Sequence, residues 1–206
     1  SDVEKQIRIA QRNGAIEVSE EVIQIVQDTL VISEALSAED LVQASLDQLR
    51  TIAETSPLVL ALEGAFHGKS TGALSLTANQ EYRAPWKRLG FSTTFLPKGD
   101  IAALDAVIET ARFAYVDLSL RGNTLCATPA EMVNIIAAFV EPIQGEGGVF
   151  EIERPFLNAL RVQATAAEFP LVFDEIQSGM GRTGTFLASS PTEIVPDYVL
   201  LSKALG

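Results

Sequence analysis

One histidine and one cysteine stand in a chain of 206 residues. His67 alone rules out a multi-histidine metal site, and it leaves any serine-histidine-aspartate arrangement a single candidate base. Cys126 has no second thiol for an internal disulfide, which fits a reducing compartment. Cations are scarce too: 15 Lys+Arg stand against 27 Asp+Glu, a formal net charge of −12. That sign disfavours nucleic acid and anionic membranes as partners, while leaving room for a local basic pocket. No apolar run reaches the roughly 18 residues of a membrane span. The N-terminus, Ser1-Asp-Val-Glu-Lys-Gln-Ile-Arg8, lacks the apolar core of a signal peptide. A soluble, cytoplasmic protein is expected, with no nucleic-acid or membrane partner.

What is present suits a folded domain. Apolar residues make up 47% of the chain and charged residues 20%, enough for a core and too little charge for disorder. Residues 1–56 carry helical periodicity, with Val22, Ile23, Ile25, Val26, Leu30 and Val31, then Leu41, Val42, Leu46, Leu49 and Ile52. Ser37-Ala-Glu-Asp40 reads as an N-cap with acidic residues in the first turn. Pro57 closes this helical segment.

From residue 57 onward short apolar runs alternate with helical stretches. Strands are expected at 58–62, 91–96, 135–140, 171–173 and 198–201. Helices are expected from Asp100 to Ala111, from Pro129 to Asn134 and from Pro155 to Phe169. Such strands imply an α/β domain over 57–206: a mostly parallel sheet with helices on both faces, preceded by the helical N-terminal segment 1–56. The chain ends at Leu205-Gly206, directly after a strand-like run, so a partial chain is expected.

Ligands of parallel sheets sit beyond the carboxyl ends of the strands. Those ends deliver Glu63-Gly-Ala-Phe66-His67-Gly, then Glu141-Pro-Ile-Gln144-Gly-Glu146-Gly-Gly, then Asp174-Glu-Ile-Gln177-Ser-Gly, and finally Ser202-Lys203. Asp174 follows three large apolar residues, so its carboxylate begins in poor solvent and must be protonated or paired. It reads equally as a helix cap or as the counter-ion of a buried cation. Gln177, three residues on, reaches the same side if the chain turns helically. Phe66 and His67 offer a ring and an imidazole ahead of a glycine turn, or a core phenylalanine and an ordinary histidine. The loop 144–148 lacks the Lys-Ser/Thr of a Walker loop and the spacing of a dinucleotide fold. Lys203 is either a solvated charge or a nucleophilic amine able to form a Schiff base.

Taken together, four segments resemble the class III (ornithine/GABA-type) aminotransferases, pyridoxal-phosphate enzymes of fold type I. They are Gly64-Ala-Phe-His-Gly-Lys-Ser-Thr-Gly-Ala-Leu-Ser75, Phe139-Val-Glu-Pro-Ile-Gln-Gly-Glu-Gly-Gly-Val149, Val172-Phe-Asp-Glu-Ile-Gln-Ser-Gly-Met-Gly-Arg-Thr-Gly184 and Pro196-Asp-Tyr-Val-Leu-Leu-Ser-Lys-Ala-Leu-Gly206. The resemblance implies a pyridoxal 5'-phosphate cofactor and transfer of an amino group between an amino donor and an oxo acid or aldehyde. It makes Lys203 the Schiff-base lysine and proton shuttle, Asp174 the partner of the pyridine nitrogen, and Gln177 the partner of the ring hydroxyl. Phe66 would stack on the ring with His67 beside it. Glu141 would line the substrate side, and Glu146 matches a glutamate that pairs with a gating arginine. A homodimer is implied, since family sites lie between subunits.

Related enzymes of this class include an aminomutase, decarboxylases and racemases. A truncated, non-catalytic domain of the same fold is the other alternative. The family's phosphate-holding Ser-Gly-Ala/Ser/Thr-Glu-Ala segment has no clear counterpart, Asn13-Gly-Ala-Ile-Glu17 being a faint echo of it. Residues 113–128 read as an insertion.

Overall fold

The computed structural model describes residues 5–7, 9, 16–34, 36–86 and 90–204. Asn13 to Ala15, and with them most of the faint phosphate-segment echo, lie outside the described residues. The chain divides into two compact units, one formed by residues 1–55 with 112–132 and the other by 56–111 with 133–206.

The first unit holds helices α1 (Glu20–Leu30) and α2 (Ala38–Glu54) and strands β3 (Arg112–Arg121) and β4 (Thr124–Val133). The expected cap is present. Ser37 Oγ accepts from the Asp40 amide at 3.2 Å while Asp40 Oδ2 accepts from the Ser37 amide at 3.3 Å, a reciprocal arrangement that satisfies two orphan donors at the helix start. Val22 and Val26 of α1, Leu41, Val42 and Leu46 of α2, and Val116, Leu118 and Leu125 of the strands form one apolar cluster. Val31 does not join that face. It is 88% exposed and caps α1 in the left-handed conformation, φ 56°.

The helix expected over Pro129–Asn134 is instead part of β4. A proline and an acidic residue resemble a helix start, but β3 and β4 form a two-stranded ribbon joined through Gly122-Asn123. Both strands of such a ribbon are edges, where a proline removes no ladder bond that the sheet needs.

The second unit is built on a five-stranded sheet in the order β2 (Ser92–Leu96), β1 (Leu58–Leu62), β5 (Ile135–Val140), β8 (Leu171–Asp174), β9 (Tyr198–Leu200). Every pairing in it is parallel. Side chains alternate across its faces. Leu60, Leu62, Ala138, Val140, Leu171 and Phe173 meet α5 (Ile101–Thr110) and α6 (Arg154–Ala166) through Leu104, Ile108, Phe156, Leu157 and Leu160. Val59 and Ala61 face the other way, packed with Leu76, Phe91, Phe95 and Phe139. Leu76 closes the short helix α3 (Thr71–Ser75), which precedes the single turn α4 (Gln80–Arg83).

Asp100 caps α5 by accepting from the Ala103 amide at 2.9 Å. Pro155 lies in the first turn of α6, which stops at Ala166, short of Phe169; Glu168 there takes φ 57° and reverses the chain toward Pro170. From β1 the chain moves outward to β2, then returns past β1 to β5 and proceeds through β8 to β9. The direction of winding thus changes between β1 and β5, the position where an open parallel sheet leaves a crevice at its carboxyl edge. The minor ribbon β6 (Ile143–Gln144) and β7 (Phe150–Glu151) stands at that edge.

Leu157 is fully buried between α6 and the sheet. Leu157→Ala is expected to lower the unfolding free energy by about 2–5 kcal/mol, the range for a buried leucine whose cavity does not collapse. Urea denaturation followed by circular dichroism measures it.

Candidate active site

The crevice gathers what the strand ends deliver. Asp174 is the last residue of β8 and only 5% exposed, and Glu141, directly after β5, is 4% exposed. The β8–β9 register sets Asp174 opposite Leu200, so Lys203 follows three residues beyond that level. Phe66 and His67 arrive from the loop after β1.

His67 Nδ1 lies 2.7 Å from Asp174 Oδ2, while Asp174 Oδ1 accepts from the Ile176 amide at 3.1 Å. A carboxylate oxygen accepts, so in the first contact the Nδ1–H of the imidazole donates to Asp174. Nε2 is buried and has no hydrogen-bond partner among the described residues. The His67 and Ile176 contacts fall on different oxygens of Asp174. Asp174 receives the amide two residues on, as a cap does, and its other oxygen faces the His67 imidazole.

Glu141 Oε2 accepts from the Phe66 amide at 2.9 Å, and Gln144 Nε2 donates to the Glu63 carbonyl at 3.1 Å. These two bonds join the loops after β1 and β5 across the crevice. Burial pushes the Glu141 carboxyl up from 4.5 to about 7, against the Phe66 amide and His67, which favour its charged form. The Phe66 ring meets Tyr82 edge-on at 5.9 Å. Glu146 lines a cavity of about 320 Å³ together with Phe66, Asn79 and Tyr82; among the described residues it forms no ion pair.

Lys203 is exposed, with a left-handed backbone at φ 47°. That conformation is uncommon for a long side chain, and strain of this kind concentrates at functional positions. Its Nζ lies 3.5 Å from Gln177 Oε1, the outer limit of a hydrogen bond. Gln177 lies against Gly145: a Cβ on Gly145 would sit 2.4 Å from its amide. In the same way a Cβ on Gly147 would sit 2.5 Å from Gln144 Oε1. The glycines of the 144–148 loop thus allow two glutamines to approach backbone.

The sequence pointed to Lys203, Asp174, Gln177, Phe66, His67, Glu141 and Glu146, and all seven lie on loops or strand ends at this edge. The contacts formed are His67–Asp174, Phe66–Glu141 and Lys203–Gln177. Lys203 bonds to Gln177 rather than to Asp174. Sequence reasoning missed Tyr82, which carried no signal, and the bracing by Gln144, whose position between a strand and three glycines was a usable clue.

An amine, a buried carboxylate, an amide and an aromatic ring fit the ring end of pyridoxal phosphate. The carboxylate suits a ring N–H, the amide suits a ring hydroxyl, and the amine suits an aldehyde. Around this edge the fold is that of a parallel α/β cofactor-binding domain.

Residues 42–206 match the model of the family "Aminotransferase class-III". The chain belongs to that family. It is 36% identical over 148 residues to acetylornithine aminotransferase of Mycolicibacterium smegmatis, covering 72% of this chain and 32% of that protein. Against the acetylornithine aminotransferase of Methanopyrus kandleri it is 36% identical over 147 residues, covering 71% and 32%. Among solved structures, lysine aminotransferase from M. tuberculosis superposes with a TM-score of 0.56 at 26% identity, over 78% of this chain and 36% of that one. The chain therefore spans about a third of the length of the curated relatives it matches.

Two outcomes test the geometry. Glu141 binds its proton more tightly folded than unfolded, so stability is lost as pH rises from about 4.5 through about 7. Glu141→Gln keeps the acceptor for the Phe66 amide and removes that loss. Relative to the parent, the variant should gain on the order of 2–3 kcal/mol between pH 4 and pH 8, at about 1.4 kcal/mol per pH unit. Denaturant titrations at both pH values measure this. Gly145→Ala should move the flexible Gln177 amide while costing no more than about 1 kcal/mol of stability. Its signature is a shifted Gln177 side-chain amide resonance with a nearly unchanged urea midpoint.

Proposed function

We propose that this chain is the cofactor-binding portion of a pyridoxal-phosphate aminotransferase that moves an amino group from an amino donor to an oxo acid or aldehyde. The observation that carries the proposal is the Lys203 amine beside Gln177, at the end of the strand paired to the one ending in buried Asp174. When bound, the cofactor supplies an electrophilic carbonyl carbon and a ring able to take up an electron pair.

The remaining work falls to the chain's own residues. Lys203 Nζ would be the amine that holds the cofactor's carbonyl carbon, with the carbonyl oxygen leaving as water, and when free it would serve as the base that carries a proton at the substrate carbon. Asp174 would accept from the ring N–H and favour its protonated form, with His67 holding the carboxylate at Oδ2. Gln177 would be the partner of the ring hydroxyl, and Phe66 would supply an aromatic surface for the ring. Glu141 and Glu146 lie on the substrate side. Burial pushes the Glu141 carboxyl up to about 7, so around neutral pH it can offer a donor or an acceptor to an arriving ammonium or oxo group. The family membership and the chemistry of these groups support the reading.

A homodimer in a cytoplasmic setting completes the proposal. It draws on the family resemblance and on the single cysteine.

The test is trapping. The full-length protein is mixed with pyridoxal phosphate, reduced with borohydride, digested and mapped by mass. The adduct is expected on Lys203, and Lys203→Ala should abolish it together with the near-visible absorbance band. Adding an amino donor before borohydride should remove the adduct and release an oxo product. An adduct elsewhere, or one unchanged by Lys203→Ala, would overturn the assignment.

A further inference from the structure

Glu175 is a buried acid to which the reading above gives no task. It is 1% exposed, and a carboxylate placed there needs donors around it. It has three. Oε2 accepts from Ser178 Oγ at 3.0 Å and from the Ala188 amide at 2.8 Å, and Oε1 accepts from the Ser189 amide at 2.8 Å. Two of these donors lie thirteen and fourteen residues on. The carboxylate therefore closes the loop 175–189 upon itself, through charge-assisted bonds that are roughly twice as strong as neutral ones.

The backbone of the same residue is held as firmly. Its amide donates to the Leu200 carbonyl at 3.0 Å, and its carbonyl accepts from the Gly179 amide at 2.8 Å. Gly179 has no room for a side chain: a Cβ would sit 2.8 Å from the Glu175 carbonyl oxygen and 2.9 Å from Leu201. One residue thus ties the loop to β9, the strand that leads to Lys203. Gln177 is the residue so enclosed. It stands between Glu175 and Ser178, it lies against Gly145, and its Oε1 meets Lys203 Nζ.

We propose that Glu175 is a positioning residue: its carboxylate clamps the 175–189 loop and thereby holds the Gln177 amide in place beside Lys203. Glu175 touches neither cofactor nor substrate in this scheme and acts through Gln177. The inference rests on the roles of Lys203 and Gln177 proposed above only in its second measurement.

The experiment uses the full-length protein and the variants Glu175→Gln, Ser178→Ala, Gln177→Ala and the two double variants with Gln177→Ala. Glu175→Gln keeps the shape but turns one accepting oxygen into an NH2 group facing a donor. Ser178→Ala removes a single donor and keeps the fold testable should the first variant fail to fold. The first measurement is hydrogen exchange without cofactor. Glu175→Gln should accelerate exchange at Ala188 or Ser189 at least tenfold over the parent while strands β1 and β5 keep their protection. The second is the dissociation constant of pyridoxal phosphate.

Gln177→Ala and Glu175→Gln are each expected to weaken binding about fivefold, the scale of one hydrogen bond, and Ser178→Ala about twofold. Each double variant should match Gln177→Ala alone, because the clamp has nothing left to position. Losses that multiply in the double variants would overturn the proposal, as would exchange at Ala188 and Ser189 unaffected by Glu175→Gln. Failure of the aminotransferase reading has a different signature: no adduct forms on Lys203, while the exchange result without cofactor stands unaltered.

Discussion

Burying a carboxylate at the end of β8 is the constraint around which the site is built. Asp174 leaves a strand of Leu, Val and Phe that is buried throughout. A carboxylate there costs several kcal/mol unless polar groups meet it. The nearest backbone supplies one amide, from Ile176. The rest must come from elsewhere, and it comes from His67 on the loop after β1, across the intervening strand β5. That contact at 2.7 Å is reached only if β1, β5 and β8 end at matching heights. Their parallel register is therefore a condition of the site as much as of the sheet. The same levelling brings the Phe66 amide onto Glu141 and the Gln144 amide onto Glu63.

Close approach is the second ingredient, and glycine supplies it. Gln177 and Gln144 occupy the volumes that side chains at positions 145 and 147 would fill. Gly179 lets the loop after β8 pass against Leu201. These glycines matter through absent atoms: each converts a loop into a wall on which an amide can rest. The two glutamines then differ in consequence. Gln144 spends its NH2 group on the Glu63 carbonyl and braces the loops, whereas Gln177 turns its oxygen toward Lys203.

Much of this was legible in the sequence, for a physical reason. Strands buried on both faces are continuous apolar runs, so 58–62, 135–140 and 171–173 stand out, and the polar residues after them are by construction the ones at the sheet's carboxyl edge. The helix starts at Ser37, Asp100 and Pro155 were equally plain, because capping is local chemistry. The hairpin of residues 112–133 was not. β3 and β4 cover a small unit on one face only, Pro129 is exposed, and their pairing depends on tertiary contact rather than on propensity. Asp174 and Lys203 could be singled out as chemical groups, but the His67–Asp174 bond spans 107 residues and the Gln144–Glu63 bond 81. Glu175 was visible only as half of an acidic pair, since its donors at 188 and 189 follow it in an unremarkable loop.

A chain with a formal net charge of −12 places four acids around a site proposed to hold an anionic cofactor, and the structure handles those charges differently. Glu175 is surrounded by three donors, so its negative charge is met by N–H and O–H dipoles before it reaches the crevice. Glu141 meets the backbone amides of Phe66 and, more weakly, Gly145, but its burial outweighs them and returns it toward the neutral acid at ordinary pH. Asp174 is met by an imidazole whose far nitrogen has no partner among the described residues. Glu146 remains at the rim of a cavity without a countercharge among the described residues. Deep acids are thus compensated in place, and the uncompensated one sits farthest toward solvent, where screening is cheapest. An anion approaching Lys203 consequently meets an amine, an amide and a partly neutralised floor rather than the full charge that composition alone implies.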